Sequence, residues 1–319
     1  MGNFINNLPL VSVLITTRNR VAIIDKFLQR IFTQTYPKVE ILVADDASSD
    51  GTYEYLHTKY PQIRLFRFNE NVGLVKARNL LMSKARGEYL INIDDDAYFL
   101  NSDAITKLVK RMEVEPEIAI ITFQVLKREE ELLSYSGHSY YTNVFRGGAS
   151  CFRKKIINEI GLFKDIFFIM GEETDYALRV LNKGYRILFY PDVKIVHFHS
   201  TLGRNLEKCA LYSARNALLI SWFNDSFPWY LILTIESIIK FLLGGVRNRV
   251  LKYVLRGFWK AIKDYKNFRF LRSPVSFKAR FLYVYLRRVK ITNINELISV
   301  YNTSGRYFMY IIKYLLTPK

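Results

Sequence analysis

Apolar residues in the first half of the chain fall in short unbroken runs, each ending in polar or acidic residues. The runs at 11–16, 39–44, 63–68, 89–93 and 118–123 are too short for helices and rich in β-branched residues, so they read as buried strands. Between them the spacing becomes helical. It predicts helices over 21–33, from a cap within Ser48-Ser49-Asp50-Gly51 to residue 59, over 74–85, and from a Ser102 cap to residue 113. The first must stop before Tyr36-Pro37, because the residue ahead of a proline avoids the α region. This βαβαβαβ order predicts an α/β fold, a mostly parallel sheet flanked by helices.

The pattern loosens beyond residue 123. Residues 127–145 are polar and Tyr-rich without a clear period, and read as a loop or hairpin over one face. Arg146-Gly147-Gly148-Ala149-Ser150 follows, where adjacent glycines permit close backbone approach or unusual φ. Helices are expected over 153–160 and from Gly171 to residue 182, and short strands at 186–190 and 193–196.

Chemistry concentrates at the ends of these elements. The run at 89–93 leads straight into Asp94-Asp95-Asp96. Three adjacent carboxylates repel one another, and a hard divalent cation such as Mg²⁺ or Mn²⁺ relieves that repulsion through oxygen ligands. Open α/β sheets also bind their ligands at the carboxyl ends of strands. Glu172, Glu173 and Asp175 open a predicted helix, three acids in four residues, more than complementing the helix dipole requires. His197 and His199 alternate on an extended segment and point to opposite faces, so at most one meets the acids.

Five motifs in order carry a resemblance: Thr16-Thr17-Arg18-Asn19; Ala44-Asp45-Asp46-Ala47-Ser48-Ser49-Asp50-Gly51; Asn71-Val72-Gly73-Leu74-Val75-Lys76-Ala77-Arg78-Asn79; Gly87-Glu88-Tyr89 into Asp94-Asp95-Asp96; and Glu172-Glu173-Thr174-Asp175. Over roughly residues 10 to 204 the chain resembles glycosyltransferase family 2. It looks most like the rhamnosyltransferase-type enzymes of bacterial surface-polysaccharide assembly, and Tyr212-Ser213-Ala214-Arg215-Asn216 adds to that likeness. The resemblance implies the GT-A fold, a Rossmann-like sheet, with a nucleotide-diphosphate sugar donor and inversion at the anomeric carbon. It implies that Asp46 binds the nucleotide, with Thr16, Arg18 and Asp45 beside it, and that Arg78 lies near a phosphate or base edge. Asp94 and Asp96 match the ends of the Asp-x-Asp motif, Asp96 on the metal and Asp94 on ribose or the metal's water shell. Asp95 belongs to the same donor segment, with its side chain expected on the other side. Gly148 would lie where acceptor and donor sugar meet, and Arg204 could hold the pyrophosphate. The family's usual base is an Asp where this chain has Glu173, so Glu173 is the expected base and Asp175 the second choice. His197, or failing that His199, would complete the metal shell.

Charge separates the two ends of the chain. Residues 1–200 hold 26 Lys and Arg against 24 Asp and Glu, whereas 201–319 hold 21 against 5. A boundary near residue 204 is therefore expected, dividing a catalytic domain over 1–204 from a basic, aromatic-rich helical region over 205–319. Within the latter, the apolar run 227–235 is interrupted by Glu236 and Lys240 and is too short to span a bilayer, so an in-plane amphipathic segment is expected. Basic residues interleaved with Trp and Phe over 247–266 suit an anionic membrane surface, and the acceptor would then be a glycan or a polyprenyl-linked glycan. A nucleic-acid partner is not expected, since no reader motif is present, and intact carboxylates weigh against a non-catalytic scaffold. Two cysteines without metal spacing suit a reducing compartment, and residues 1–10 lack a secretory signal pattern. The expected location is cytoplasmic, peripheral on the inner face of the cell membrane.

Overall fold

A computed structural model of the protein describes residues 8–127, 137–198 and 205–303. One mixed sheet of nine strands runs through the fold. Its parallel half is the predicted one: β1 (Val11–Thr17) pairs with β2 (Val39–Asp45) and β4 (Tyr89–Ile93), and β2 pairs with β3 (Arg64–Arg67). The other half adds antiparallel pairings to that pattern. β8 (Ala149–Arg153) runs antiparallel to β4 and to β6 (Ile118–Leu126), and β9 (Arg186–His197) runs parallel to β6. β5 (Ala97–Phe99) and β7 (Tyr140–Tyr141) pair antiparallel with β9.

Strand alternation divides the core into two layers. Val11, Val13, Ile15, Ile41, Val43, Tyr89, Ile91 and Ile93 face one side, against α1 (Ile24–Phe32), α2 (Thr52–Lys59) and α4 (Ala104–Val114). Leu14, Leu42, Ala44 and Leu90 face the other, against α3 (Leu74–Lys84), α5 (Lys154–Ile160) and α6 (Glu172–Asn182). Each fully buried Leu or Ile contributes about 2 kcal/mol of transfer free energy, so both layers hold the strand register firmly.

Three local readings change. Ser102 does not cap α4; Asp103 occupies the N-cap, without a side-chain cap bond, and the Ser102 carbonyl accepts instead from Thr35 N–H at 2.8 Å. The segments 186–190 and 193–196 form one strand, since β9 carries Pro191 and Asp192 through a register shift opposite Phe123 and Gln124. The turn after Gly148 is a strand before it is a helix: residues 149–153 pair with β4 and β6 before α5 begins at Lys154. In the region read as a loop or hairpin, residues 128–136 lie outside the described residues, and Tyr140–Tyr141 adds a short strand.

Five helices follow among the described residues: α7 (Leu206–Asn224), α8 (Trp229–Arg247), α9 (Leu251–Asn267), α10 (Phe277–Leu286) and α11 (Ile294–Thr303). Leu219, Phe223, Ala261, Val275 and Ala279 join the same apolar layer as α3 and α6, while Leu282, Leu286 and Ile291 join the layer of α4. α7 and α9 approach so closely that Gly257 lies against Leu211 O and Ala214 Cβ. A Gly→Ala change in a helix ordinarily gains about 1 kcal/mol. Here the new methyl would press on a backbone carbonyl that cannot move alone, and overpacking of this kind costs about 1–3 kcal/mol. Gly257→Ala is therefore expected to be less stable than the parent by denaturant unfolding; equal or greater stability would show that the two helices can part.

Candidate active site

The turn Asp94-Asp95-Asp96 leaves the middle of the sheet and leads to β5 at its far edge. Neighbours clasp it on both sides. Asp94 N–H donates to Gly148 O at 3.2 Å, and Phe198 N–H donates to Asp96 O at 3.1 Å. Because β5 pairs with the end of β9, His197 lies opposite Ala97 and its ring turns toward the acids. His197 Nε2 is 2.8 Å from Asp96 Oδ1 and 3.7 Å from Asp94 Oδ2. One ligand atom from each of Asp94, Asp96 and His197 lies within 4.8 Å of the others. Two carboxylates and an imidazole at this spacing fit a hard or borderline divalent cation such as Mg²⁺ or Mn²⁺. His199 and Arg204 lie outside the described residues.

The middle acid has another partner. Asp95 is buried, and Arg20 Nε donates to its two oxygens at 3.2 and 3.3 Å. Burial raises its carboxyl to about 6, with Arg20 pulling the other way. The separation of Asp95 from Asp94 and Asp96 comes from a tight turn rather than from the alternation expected of an extended segment: Ala97 N–H donates back to Asp94 O at 3.1 Å.

Arg78 ties this turn to the helix that follows. Its guanidinium, almost wholly buried on α3, donates through Nη2 to Asp94 Oδ1 at 3.0 Å and stands 3.5 Å from Glu172 Oε1 through Nη1. Gly147 and Gly148 make the approach possible by closeness rather than by positive φ: a Cβ on Gly148 would overlap the Asp94 carboxylate, and one on Gly147 would overlap Arg78. Gly147 N–H donates to Glu173 Oε1 at 3.1 Å.

The three acids that open α6 separate in role. Residues two apart on a helix point to nearly opposite sides. Glu173 faces Gly147 and the turn, and burial raises its carboxyl above the usual range, with Arg78 opposing. Glu172 is more deeply buried; burial first, and then the charge of Glu173, push it up to about 8, and its Oε2 has no hydrogen-bond partner among the described residues. Asp175 points away. It is fully buried and bound by Lys164 Nζ at 2.6 Å, Arg179 Nε at 2.9 Å and Asn224 Nδ2 at 2.8 Å. Burial pushes its carboxyl up, but Arg179 and Lys164 outweigh this and hold it below the usual range. A carboxylate enclosed by two cations cannot reach an acceptor, so the second-choice base is corrected to an anchor of α6.

Around the end of β2, Asp45 and Asp46 take different partners. Asp45 Oδ1 accepts from Ser48 N–H at 2.9 Å and closes the turn, while its buried Oδ2 has no partner among the described residues. Asp46 accepts from Val72 N–H at 2.7 Å, Gly73 N–H at 3.1 Å and Asn71 Nδ2 at 2.9 Å. It thereby fixes the turn into α3, and three of roughly four acceptor positions of a carboxylate are used. Thr16 is half-buried and Arg18 exposed beside them. Neither Arg20 nor Gly147 carries a distinguishing signal in the sequence: Arg20 directly follows Thr16-Thr17-Arg18-Asn19, and Gly147 is the first of the glycine pair.

Carboxylates, an imidazole and a buried guanidinium thus gather at the strand ends of an α/β sheet, the place where such sheets bind their ligands, in a group that could hold a divalent cation. The comparisons carry the same reading. A family model described as Glycosyl transferase family 2 matches residues 12–166. Glycosyltransferase AglE of Haloferax volcanii is 36% identical over 224 residues, which cover 64% of this chain and 71% of AglE. The Escherichia coli enzyme WfaP, a UDP-Glc:alpha-D-GlcNAc-diphosphoundecaprenol beta-1,3-glucosyltransferase, is 26% identical over 191 residues, 56% of this chain and 73% of that one. The mannosyltransferase PcManGT of Pyrobaculum calidifontis, solved in complex with GDP-Man and Mn²⁺, superposes with a TM-score of 0.56 at 19% identity, covering 82% of this chain and 89% of that one. The chain belongs to glycosyltransferase family 2 and has the GT-A fold.

The raised carboxyl of Glu172 has a consequence for stability. Folded, it holds its proton up to about pH 8; unfolded, it releases it near the ordinary 4.5. The folded state binds more protons across that window, so stability falls as pH rises from about 5 to 8. Glu172→Gln should flatten the fall, measured as Tm at pH 5, 6.5 and 8 in the presence of a chelator. A variant that falls as steeply as the parent removes Glu172 as the cause.

Proposed function

We propose that the protein is an inverting glycosyltransferase that moves a sugar from a UDP- or dTDP-linked donor to a hydroxyl of a lipid-linked glycan. It would act in cell-surface polysaccharide synthesis at the inner face of the cell membrane. The observation that carries this reading is the placement of Glu173 beside the Asp94–Asp96–His197 cluster, at the Gly147-Gly148 approach. A sugar held there would meet donor groups on one side and a carboxylate on the other.

Asp46, with Thr16, Arg18 and Asp45 around it, would receive the nucleotide, since one acceptor position of Asp46 suits an N–H or O–H donor. Arg78 places positive charge beside the diphosphate. A divalent ion held by Asp96, Asp94 and His197 would neutralise charge on the departing diphosphate. Glu173 takes the proton of the acceptor hydroxyl, its burial-raised carboxyl being a stronger base than a solvated one. The acceptor oxygen forms its bond to the anomeric carbon as the bond to the nucleotide diphosphate breaks on the opposite face, through an oxocarbenium-like transition state. A protonated Glu172 next to Glu173 leaves one negative charge rather than two against Arg78.

Lipid-linked substrates require access to a bilayer, and α8 with α9 offers it. α8 is 19 residues long, long and apolar enough by length and composition to cross a membrane. Glu236 and Lys240 do not break it. It packs along α7 and α9, however, with Leu231, Ile232, Ile235, Ile239, Leu243 and Val246 exposed. On α9, Leu255, Trp259 and Ile262 are exposed at helical spacing among Lys252, Arg256, Lys260 and Lys263. An apolar stripe flanked by cations suits an in-plane position among anionic headgroups, and suits nucleic acid poorly.

A thermal-shift screen of nucleotide sugars with Mn²⁺ identifies the donor, because a bound ligand raises the apparent Tm. With that donor, Asp96→Ala should lose at least a hundredfold in metal-dependent turnover and keep its fold. Near-full activity in this variant overturns the metal assignment. Glu173→Gln should keep donor affinity within twofold and lose turnover at least a hundredfold; equal loss of both argues against a base.

The membrane reading has a separate check. Deleting the C-terminal helices would strip core residues such as Phe223 and Val275, so point changes are the cleaner probe. Trp259→Glu with Ile262→Glu should reduce co-sedimentation with phosphatidylglycerol vesicles at least tenfold. Undiminished binding moves the contact elsewhere.

A further inference from the structure

The segment that delivers Glu173 has little structure of its own. Residues 168–171 connect a short 3-10 turn at Asp165–Phe167 to the first residue of α6, and Met170 and Gly171 both adopt left-handed φ, 69° and 87°. Met carries a Cβ that disfavours this region, so something outside the segment must hold it there. That something is α7. Asn216, fully buried, donates from Nδ2 to Ile169 O at 2.9 Å and to Met170 O at 2.5 Å. Its Oδ1 accepts from Arg215 Nη1 at 2.7 Å, and the same nitrogen donates to Ile166 O at 2.8 Å. Arg215 is buried too, and its Nε donates to Asp264 Oδ2 on α9 at 2.6 Å.

Every polar group of the Asn216 amide is thus used on this one segment and on Arg215. Packing acts in the same place: Gly171 lies against Ile220 and Asn216 Cβ, and Phe168 stacks on Tyr212 with ring centroids 5.2 Å apart while its other contacts press on Gly73. Two carbonyls held by one amide, immediately before Gly171-Glu172-Glu173, set where α6 begins and therefore where the Glu173 carboxylate sits.

We infer that Arg215 and Asn216, braced by Asp264, are positioning residues for Glu173. The inference rests on the reading of Glu173 as base. Misplacing a reacting group by about 1 Å can cost about a hundredfold in rate, so the clamp should act on turnover rather than on donor affinity.

The test uses the full chain and four variants: Asn216→Ala, Asp264→Ala, the charge-retaining Asp264→Glu, and Glu173→Gln. Amide hydrogen exchange over residues 166–173 is the first readout. The second is the Kd for UDP and for dTDP with Mn²⁺ by calorimetry, set beside kcat with the donor found by the screen. Asn216→Ala is expected to speed exchange over 166–173 at least tenfold, with β1 and β4 unchanged, and to lower kcat at least tenfold while Kd stays within twofold. Asp264→Ala should give the same pattern at a few-fold, and Asp264→Glu should return close to the parent. Parental exchange and kcat in Asn216→Ala, or a matched loss of kcat and nucleotide affinity, overturns the inference. If Asn216→Ala does not fold, Asp264→Ala decides, and unchanged exchange over 166–173 in that variant overturns it. Retained turnover in Glu173→Gln overturns the base reading itself, and with it the catalytic half of the inference whatever the exchange shows.

Discussion

Five carboxylates, from Asp94, Asp95, Asp96, Glu172 and Glu173, converge on a small volume where few cations stand among them. Repulsion among so many buried anions would open the site if nothing answered it. Arg78 answers it at the centre, reaching Asp94 from one side and Glu172 from the other. Arg20 takes Asp95, and His197 takes Asp96. Burial does the rest by keeping a proton on Glu172. Glu173 accepts one backbone N–H, from Gly147, and faces the acid turn.

The sheet topology makes that convergence possible. β4 and β5 are joined by only three residues yet lie at different places in the sheet, so the acid turn is stretched across the ends of other strands. β8 brings Gly148 to one side of it and β9 brings His197 to the other. α3 supplies Arg78 because Asp46 fixes the turn from which that helix starts. Each group comes from a different element, and each element's end is set by a hydrogen bond or a close glycine contact.

The parallel half of the fold was legible because its strands are buried on both faces and read as unbroken apolar runs. The antiparallel half was less so: β8 is only five residues long and follows two glycines, which suggested a turn and hid a strand. That Asp94, Asp96 and His197 lie together followed from motifs that keep their order and spacing along the chain. Asp175 was misread because sequence gives no sign of Lys164 and Arg179 closing over it, a matter of which way α6 faces. Asn216 carried a signal only as part of a motif on an apolar helix, with nothing to say which carbonyls it would meet. The exposed stripe on α8 and α9 was readable as amphipathic, whereas its packing along α7 was not.

β5 is an edge strand of three residues, held by three paired positions on β9 and by the aromatic group of Phe27, Tyr98 and Phe198. The acid turn and His197 are therefore only as durable as this short seam. Ala97 and Phe99 belong to the apolar layer of α4, so parting His197 from Asp96 would first have to unpack part of that layer, and the spacing of the acid turn is tied to the integrity of the core.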